Sequence, residues 1–390
     1  MKRAFPQLLT LFLLGAVLAA CGRKVPSDEI RIGGIFDLTG PTSEAGHVYA
    51  EGVRRYVQYV NGKGGINGRR VRLIDVDTGY IISRDLEAYR RLVEKEKVHL
   101  IIGWSTGATE KLVPSVVRDR VPFTGVSFSR KLTDVKTAPY NFLTCLTYSD
   151  QMRIALKYAL SRWRDKTRNP RVAFLFNDKE YGRAPLPAGR DFAAKNGMEV
   201  VAEEVVSLDA RDAVDQLRRV KAAGADFAVI QETTLPTSVI LRDAAALKMK
   251  TQFIGLVWSC DEKLIALAGK SAEGFAGTTP QIYSDLSLPG VRRIMDFNRS
   301  RGISFEGVML FYIHGWITAE LMLEGVRRAG DDLSGPSLKR GLESIRDYDT
   351  GGITAPYSFS PDNHVGLDRL KMGQVKNGRW RSVTGFLTAH

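Results

Sequence analysis

Cysteine and histidine are scarce in this sequence: its 390 residues include three cysteines and five histidines. Besides Cys21, only Cys145 and Cys260 occur, so the chain has neither a disulfide framework nor the cysteine spacing of a metal site. The histidines form neither an H-x-x-x-H nor an H-E-x-x-H pattern. We therefore expect no metal and no cofactor.

Phosphate-binding loops are also missing. No Walker sequence G-x-x-x-x-G-K-[ST] occurs. The string GKGGINGRR, residues 62–70, departs from G-x-G-x-x-G because Asn67 stands where the third glycine belongs. Asn67-Gly68 instead predicts a turn between a helix and the strand VRLIDVD.

Acidic residues are fewer than basic ones, 43 against 56, which gives a formal net charge of +13. The basic residues form short blocks such as RWRDKTRNPR, mixed with acids and not gathered with aromatic residues on one element. Such blocks are typical of solvated helix faces. We expect no nucleic-acid partner; weak attraction to anionic membrane surfaces is the alternative.

The N-terminus carries Lys2 and Arg3, followed by the apolar run LLTLFLLGAVLAA. This run is too short to span a membrane and is typical of a signal peptide. It ends in LAAC, which resembles the bacterial lipobox, where cleavage leaves the cysteine as a lipid-bearing N-terminus. We predict a signal peptide over residues 1–20 and a lipid-anchored linker over residues 21–28, with Cys21 lipidated. The alternative is an ordinary signal peptide in which Cys21 is coincidental.

The mature chain is therefore expected in the bacterial periplasm or at the cell surface, lipid-anchored to a membrane.

Strand and helix patterns alternate from Ile30 onward, beginning with IRIGGIF, a helix around VYAEGVRRYVQYV, and VRLIDVD. This alternation predicts an α/β fold with parallel sheets. The alternation restarts after NFLTCLTYSDQ. The chain is also longer than a single hydrophobic core usually supports, so two lobes are expected. Past GFAGTTPQ, long helices and short strands indicate a tail that returns to the first lobe and then to the second, leaving a cleft.

Residues 103–107 read GWSTG, which matches the G-x-S-x-G string around a serine hydrolase nucleophile. A serine hydrolase also needs a catalytic histidine later in the chain, and His364 is the most suitable candidate. No oxyanion loop such as HGGG precedes Ser105. A second interpretation is an anion cradle. The hydroxyls of Ser105 and Thr106 and the free N–H groups at a helix start favour a carboxylate or a neutral polar group. In a third interpretation, Ser105 and Thr106 only cap the helix that follows them.

Six segments carry a family resemblance: IRIGGIFDLTGPTSEAG, GGINGRRVRLIDVDTG, IIGWSTGATEKLVPSVV, VPFTGVSFSRKLTD, NDKEYGR and FIGLVWSCDEKLIALAGKSAEGFAG. In this order they resemble the substrate-binding proteins and lipoproteins of branched-chain amino acid-type ABC transporters, the Leu/Ile/Val-binding protein-like family. The likeness runs from about Ile30 to about Tyr357. It implies a type I periplasmic binding protein fold, with two Rossmann-like lobes joined by three crossing strands. We assign residues 29–145 and 277–351 to the N-terminal lobe, and 146–276 and 352–390 to the C-terminal lobe.

The resemblance also implies ligand contacts from the first lobe. In that family a hydroxyl-bearing turn before the pocket helix binds the ligand's α-carboxylate, and Thr106, with Ser105 beside it, matches that turn. Ser127 and Phe128 fall where the family supplies a second hydroxyl contact. Phe128 is a departure if it occupies the place of that hydroxyl.

From the second lobe, Tyr181 matches an aromatic residue that covers the ligand, and Thr233 lies where the strand DFAVIQ reaches the cleft. In amino acid binders of this family, an acidic residue usually follows shortly after the glycine that corresponds to Gly255 in the segment FIGLVWSC, and it pairs with the ligand's ammonium. Val257 and Trp258 occupy that place here. Burying an ammonium without a carboxylate is costly, so a free amino acid would be a poor ligand.

The expected ligand is an aromatic or aliphatic carboxylate. Asp261, a few residues after Trp258, could supply the missing acid, which would restore an amino acid as the ligand. The sides of the ligand are expected to contact four aromatic residues: Trp104, Phe128, Tyr181 and Trp258.

We therefore predict an extracytoplasmic solute-binding protein, not an enzyme, that delivers a small ligand to an ABC permease after the lobes close on it. Two alternatives remain. One is an exported serine hydrolase that uses Ser105. The other is a ligand-binding sensor of the same fold.

Overall fold

The computed structural model describes residues 29–279, 287–303 and 310–390. The predicted signal peptide, the predicted linker and Cys21 lie outside the described residues. Within those residues, no helix has the length and apolar character needed to cross a membrane.

The first sheet forms the core of the first lobe and has five parallel strands in the order β2-β1-β3-β4-β5. Its central strand β3 is the wholly buried run LIIG, as expected where helices cover both faces of a parallel sheet. The strands are β1 (Glu29–Phe36), β2 (Arg70–Asp77), β3 (Leu100–Gly103), β4 (Phe123–Gly125) and β5 (Asn141–Phe142). The helices between them are α1 (Ser43–Gly62), α2 (Ile82–Glu94) and α3 (Thr106–Asp119).

The second sheet forms the second lobe, in the order β12-β11-β10-β9-β8-β6-β7, with β13 paired to β11. Pairs among β6 to β10 are parallel, whereas those of β11 are antiparallel. The strands are β6 (Arg171–Phe176), β7 (Glu199–Val205), β8 (Phe227–Gln231), β9 (Gln252–Gly255), β10 (Ala276–Thr279), β11 (Arg369–Lys376), β12 (Arg379–Ser382) and β13 (Leu387–Thr388). The helices are α4 (Tyr148–Arg162), α5 (Glu180–Arg183), α6 (Leu186–Lys195), α7 (Val214–Ala222), α8 (Thr234–Ala246) and α9 (Lys263–Ala268).

Three later helices return to the first lobe: α10 (Pro289–Ser300), α11 (Leu310–Ala329) and α12 (Gly335–Glu343). Helix α11 is apolar on almost every face and buried over most of its length, and it packs along α1. Reciprocal glycines permit this close approach. A Cβ on Gly52 would stand 2.1 Å from the carbonyl oxygen of Tyr312, and a Cβ on Gly315 would stand 2.0 Å from that of Tyr49.

The order of the described elements shows three passages of the chain between the lobes. The chain first crosses between β5 and α4, then between β10 and α10, and finally between α12 and β11. In the last passage, Val365 pairs with Leu143 at the edge of the first sheet. The tail therefore returns to the first lobe and then to the second, as the sequence predicted. The predicted boundary at residue 352 precedes this pairing, so the residue bounds of the lobes stay a prediction.

Candidate ligand-binding site

A narrow pocket with a cavity volume of about 20 Å³ lies between the lobes. Most of its lining residues come just after the carboxyl end of a strand, where ligands bind in open parallel α/β sheets. The first lobe contributes Thr42, Tyr80, Trp104, Thr106 and Val126, and the second contributes Tyr148, Tyr181, Thr233 and Trp258.

The structure brings five of the eight predicted contact residues to this pocket: Trp104, Thr106, Tyr181, Thr233 and Trp258. Their contact with a ligand stays a prediction. The other three, Ser105, Ser127 and Phe128, are buried beside the pocket but do not line it.

Each of these three has a different environment. The Ser105 hydroxyl accepts a hydrogen bond from the backbone N–H of Ala108 at 3.3 Å, so it caps α3. Phe128 packs behind the pocket wall against Tyr148, with ring centroids 5.5 Å apart. The Ser127 hydroxyl is buried and has no hydrogen-bond partner among the described residues.

The start of α3 supplies positive electrostatic potential to the pocket. Ser105 has extended backbone angles at the N-cap, and Thr106 is the first helical residue. The first turn of α3 contains no acidic residue. Its free N–H groups and its dipole therefore favour an anionic group of the ligand, such as a carboxylate.

Trp104 is held by hydrogen bonds within the first lobe. Its indole Nε1–H donates to the Thr42 hydroxyl at 2.8 Å. The Thr42 hydroxyl in turn donates to the Asp37 carboxylate at 2.6 Å. Because this hydroxyl is already a donor to Asp37, it is not free to donate to a ligand.

Trp258 is held in a similar way across the cleft. Its indole N–H donates to the hydroxyl of Tyr148 at 2.9 Å, and that hydroxyl donates to the carbonyl oxygen of Val126 in the first lobe, also at 2.9 Å. Burial raises the pKa of Tyr148 to about 12, so it keeps its proton at neutral pH. This chain of hydrogen bonds therefore joins the two lobes.

The Trp258 ring also enters an aromatic cluster of the first lobe. It stacks on Phe128 at 5.6 Å and on His314 at 5.7 Å, and it lies 5.6 Å from Trp104 and 5.3 Å from Phe311. Burial lowers the pKa of His314 to about 3, so its imidazole is neutral at neutral pH. Trp258 thus anchors the second lobe in the apolar interior of the first.

These features suit a protein that closes two lobes on a small ligand, and comparison with known proteins identifies the family. A family model described as periplasmic binding protein matches residues 29–379. The chain belongs to the periplasmic binding protein family.

Two relatives of this periplasmic binding protein illustrate the match. The Leu/Ile/Val-binding protein of Escherichia coli K12 is 25% identical over 292 residues, which are 73% of this chain and 76% of that protein. The leucine-, isoleucine-, valine-, threonine-, and alanine-binding protein of Pseudomonas aeruginosa is 20% identical over 333 residues, covering 85% of this chain and 87% of that one. The predicted resemblance is confirmed.

Solved structures of similar proteins support the same fold. A branched chain amino acid ABC transporter protein from Thermus thermophilus with bound valine gives a TM-score of 0.87 at 25% identity, covering 92% of this chain and 96% of that one. A fatty acid ABC transporter substrate-binding protein from Thermomonospora curvata gives 0.83 at 19% identity, covering 92% of each chain, and this likeness concerns the fold alone. The predicted type I periplasmic binding protein fold is confirmed.

Sequence reasoning about this periplasmic binding protein missed four pocket residues: Thr42, Tyr80, Val126 and Tyr148. Tyr80 has a backbone φ of 61°, in the left-handed region that a bulky residue rarely adopts. Such strained residues occur preferentially at functional sites. Thr42 and Tyr80 follow β1 and β2, so their place after a strand end was a usable signal.

Buried acids lie near this site of the periplasmic binding protein but outside the pocket lining. Glu232 accepts a hydrogen bond from the Asn177 side chain at 3.0 Å, and burial raises its pKa well above the usual range. Asp261 accepts from the backbone N–H of Lys263 at 2.9 Å, and burial raises its pKa to about 6. The described lining therefore contains no Asp, Glu, Lys or Arg.

The hydrolase alternative lacks its catalytic pair in this periplasmic binding protein. His364 is buried, with Nδ1 3.0 Å from the carbonyl oxygen of Asn141 and Nε2 3.1 Å from the carboxylate of Glu343. Both ring nitrogens thus have partners other than Ser105, whose hydroxyl caps α3.

Among the described residues, no group of three or more metal-ligating side chains could hold a metal ion.

Proposed function

We propose that this periplasmic binding protein is an extracytoplasmic, lipid-anchored solute-binding protein that delivers its ligand to an ABC permease. The ligand is a small, carboxylate-bearing apolar or aromatic molecule held between the lobes. The pocket carries the proposal, because both lobes supply its walls and the start of α3 faces into it. A ligand that contacts both lobes stabilises the closed form, which a permease can then recognise.

The pocket walls support a carboxylate without an ammonium group. Five aromatic side chains and Val126 give an apolar interior, and Thr106 lies at the positive end of α3. Trp258 occupies the place where amino acid binders usually supply an acid, and its ring is packed against the first lobe. The Asp261 carboxylate is engaged by the Lys263 backbone instead of lining the pocket. An ammonium would therefore lose its hydration without gaining a charged partner.

The similar proteins span both ligand classes. They include branched-chain amino acid binders and a fatty acid binder of the same fold. They support the transport role and leave an amino acid as the competing ligand class.

Thermal unfolding with matched acid pairs tests the ligand class. The mature, unlipidated protein is mixed with 3-phenylpropanoate or phenylalanine, and separately with 4-methylpentanoate or leucine. Ligand at a thousand times its dissociation constant adds roughly 4 kcal/mol of stability. We expect stabilisation by an amine-free acid and not by its amino acid partner. Stabilisation by phenylalanine or leucine alone would contradict the proposed ligand class, and no response to any of the four acids would contradict it as well.

Membrane anchoring is tested by fractionation. Cys21→Ala removes the proposed lipid-bearing residue, so the protein should move from the membrane fraction to the soluble fraction. Cys145→Ala is the control, because that thiol is buried within the fold. A Cys21→Ala protein that remains with the membrane would refute lipid anchoring at this residue.

A further inference from the structure

Two hydroxyl groups of the second lobe lie in the pocket lining without a hydrogen-bond partner. Tyr181 and Thr233 both line the pocket, and each is 4% exposed. Among the described residues, neither hydroxyl has a partner of normal hydrogen-bond geometry, although the Glu44 carboxyl group acts on Thr233 from the first lobe. A buried O–H group that donates to nothing loses its bond to water without replacing it. A ligand in the pocket can supply the acceptor that each hydroxyl needs.

Other hydroxyl groups of the lining are already used within the protein. The Thr42 hydroxyl donates to the Asp37 carboxylate at 2.6 Å, and the Tyr148 hydroxyl donates to the carbonyl oxygen of Val126 at 2.9 Å. Each hydroxyl has a single proton, so neither can donate to a ligand as well. The donors of Tyr181 and Thr233 therefore differ from those of Thr42 and Tyr148 in remaining available.

The acceptor is expected to be neutral, because two acidic side chains act on Tyr181. These are Glu44 of the first lobe and Glu232 of the second, and neither lines the pocket. A second carboxylate on the ligand would meet their negative charge. An ammonium group has donors only and cannot accept from either hydroxyl. A carbonyl oxygen has two lone pairs and can accept from both hydroxyls at once.

The size of the pocket places this acceptor close to the ligand's carboxylate. Thr106, at the start of α3, lines the same narrow pocket as Tyr181 and Thr233. The cavity of about 20 Å³ holds little more than one water-sized group. Polar groups that meet both sets of residues must therefore be neighbours on the ligand. The apolar remainder of the ligand fits only if the lobes or the aromatic side chains move apart to make room.

We propose that the ligand is a 2-oxo acid, with its carboxylate at the start of α3 and its oxo group accepting hydrogen bonds from Tyr181 and Thr233. This inference rests on the proposed function, from which it takes the carboxylate and the apolar chain. It adds a neutral polar group beside the carboxylate. A 2-oxo acid carries an acceptor where an amino acid carries its ammonium, which suits a lining with hydroxyl donors and no acidic residue.

Calorimetric titration with matched acids tests the oxo group itself. The mature, unlipidated protein is titrated with 4-methylpentanoate, 4-methyl-2-oxopentanoate and leucine, and separately with 3-phenylpropanoate, 3-phenyl-2-oxopropanoate and phenylalanine. Within each series the carbon skeleton is the same. We expect the oxo acid of at least one series to bind roughly tenfold or more tightly than its parent acid, because the parent leaves two buried donors unpaired.

Hydroxyl-removing variants assign the oxo group to its partners. Tyr181→Phe and Thr233→Val should each reduce the preference for the oxo acid over its parent by roughly three- to tenfold, and the double variant should nearly abolish it. Tyr158→Phe is the control, because this buried tyrosine of α4 lies outside the lining. It should keep the full preference. The ratio of the two affinities is the readout, so a general loss of closure in a variant cancels.

The outcomes separate this inference from the proposed function. Equal affinities of the oxo acids and their parents, with the amino acids weaker, would overturn the inference and leave the proposed ligand class standing. Tighter binding of the amino acids, or no binding of any of these compounds, would overturn both. A preference for the oxo acid that survives in the double variant would overturn the assignment to Tyr181 and Thr233. Thermal unfolding of each variant without ligand checks folding.

Discussion

The helices α3 and α8 begin in the same way in the two lobes, yet the groups near their first turns differ. Each follows a buried strand and a hydroxyl-bearing turn, WST in the first lobe and ETT in the second. Ser105 caps α3 with its own side chain, whereas Thr233 makes no such capping bond on α8. The carboxyl group of Glu44 approaches α8 from the opposite lobe; the residue is half-buried, and its Oε1 atom is buried.

The difference suggests which lobe receives the ligand's charge. At α8 the protein supplies a half-buried acid, which reduces the attraction for a second anion. At α3 the nearby acid is Glu180, whose carboxylate lies against Gly107 but whose side chain is exposed. A hydrated, exposed carboxylate is displaced more easily than a buried one. We therefore expect the ligand's carboxylate at α3.

The largest expected effect comes from placing an acid at the start of α3. Thr106→Asp should weaken binding of the carboxylate ligand by roughly a hundredfold or more, because like charges in a closed site cost several kcal/mol. Thr106→Asn, which is similar in size and neutral, is the control and should bind more tightly than Thr106→Asp. Isothermal titration calorimetry with the acid identified by thermal unfolding measures both. Equal affinities for Asp and Asn would remove α3 as the carboxylate site.

A smaller effect compares the equivalent first residues of the two helices. Thr106→Val should weaken binding by about 1 to 3 kcal/mol, because a buried carboxylate then lacks a donor. Thr234→Val makes the same change at the first residue of α8, which is buried but does not line the pocket. Its effect on affinity should stay within about 0.5 kcal/mol. An equal loss of ligand affinity in Thr106→Val and Thr234→Val, measured by calorimetry, would contradict the proposed difference between the starts of α3 and α8.

The smallest expected effect concerns stability. Ser105→Ala removes the cap of α3 and should lower the free energy of unfolding by about 1 kcal/mol, as measured in urea. Thr233→Ala should lower it less, because that side chain makes no capping bond to α8. Thr233 lines the pocket, however, so its variant should affect ligand affinity more than Ser105→Ala does. A larger loss of stability in Thr233→Ala would contradict the assignment of the cap to Ser105. A larger loss of affinity in Ser105→Ala would contradict the assignment of the ligand contact to Thr233.

Sequence reasoning succeeded where a residue's position along a strand determines where it lies. Thr106, Thr233 and Trp258 follow the ends of β3, β8 and β9 within a few residues, so parallel strand order places them at the cleft. Tyr148 could not be placed this way, because it lies at the start of α4, just after the first passage between lobes. Phe128 comes from the expected segment, but its ring turns into the aromatic cluster instead of lining the pocket.

The sequence by itself determined the alternation of strands and helices and the presence of hydroxyl residues at the start of α3, because each is written in short local patterns. Only the tertiary structure decided which polar groups remain available to a ligand. Trp104 donates to Thr42 and Trp258 to Tyr148 across 62 and 110 residues of sequence, and Glu44 reaches α8 from the other lobe. Such partners are brought together by packing of the two lobes, and no local pattern encodes them.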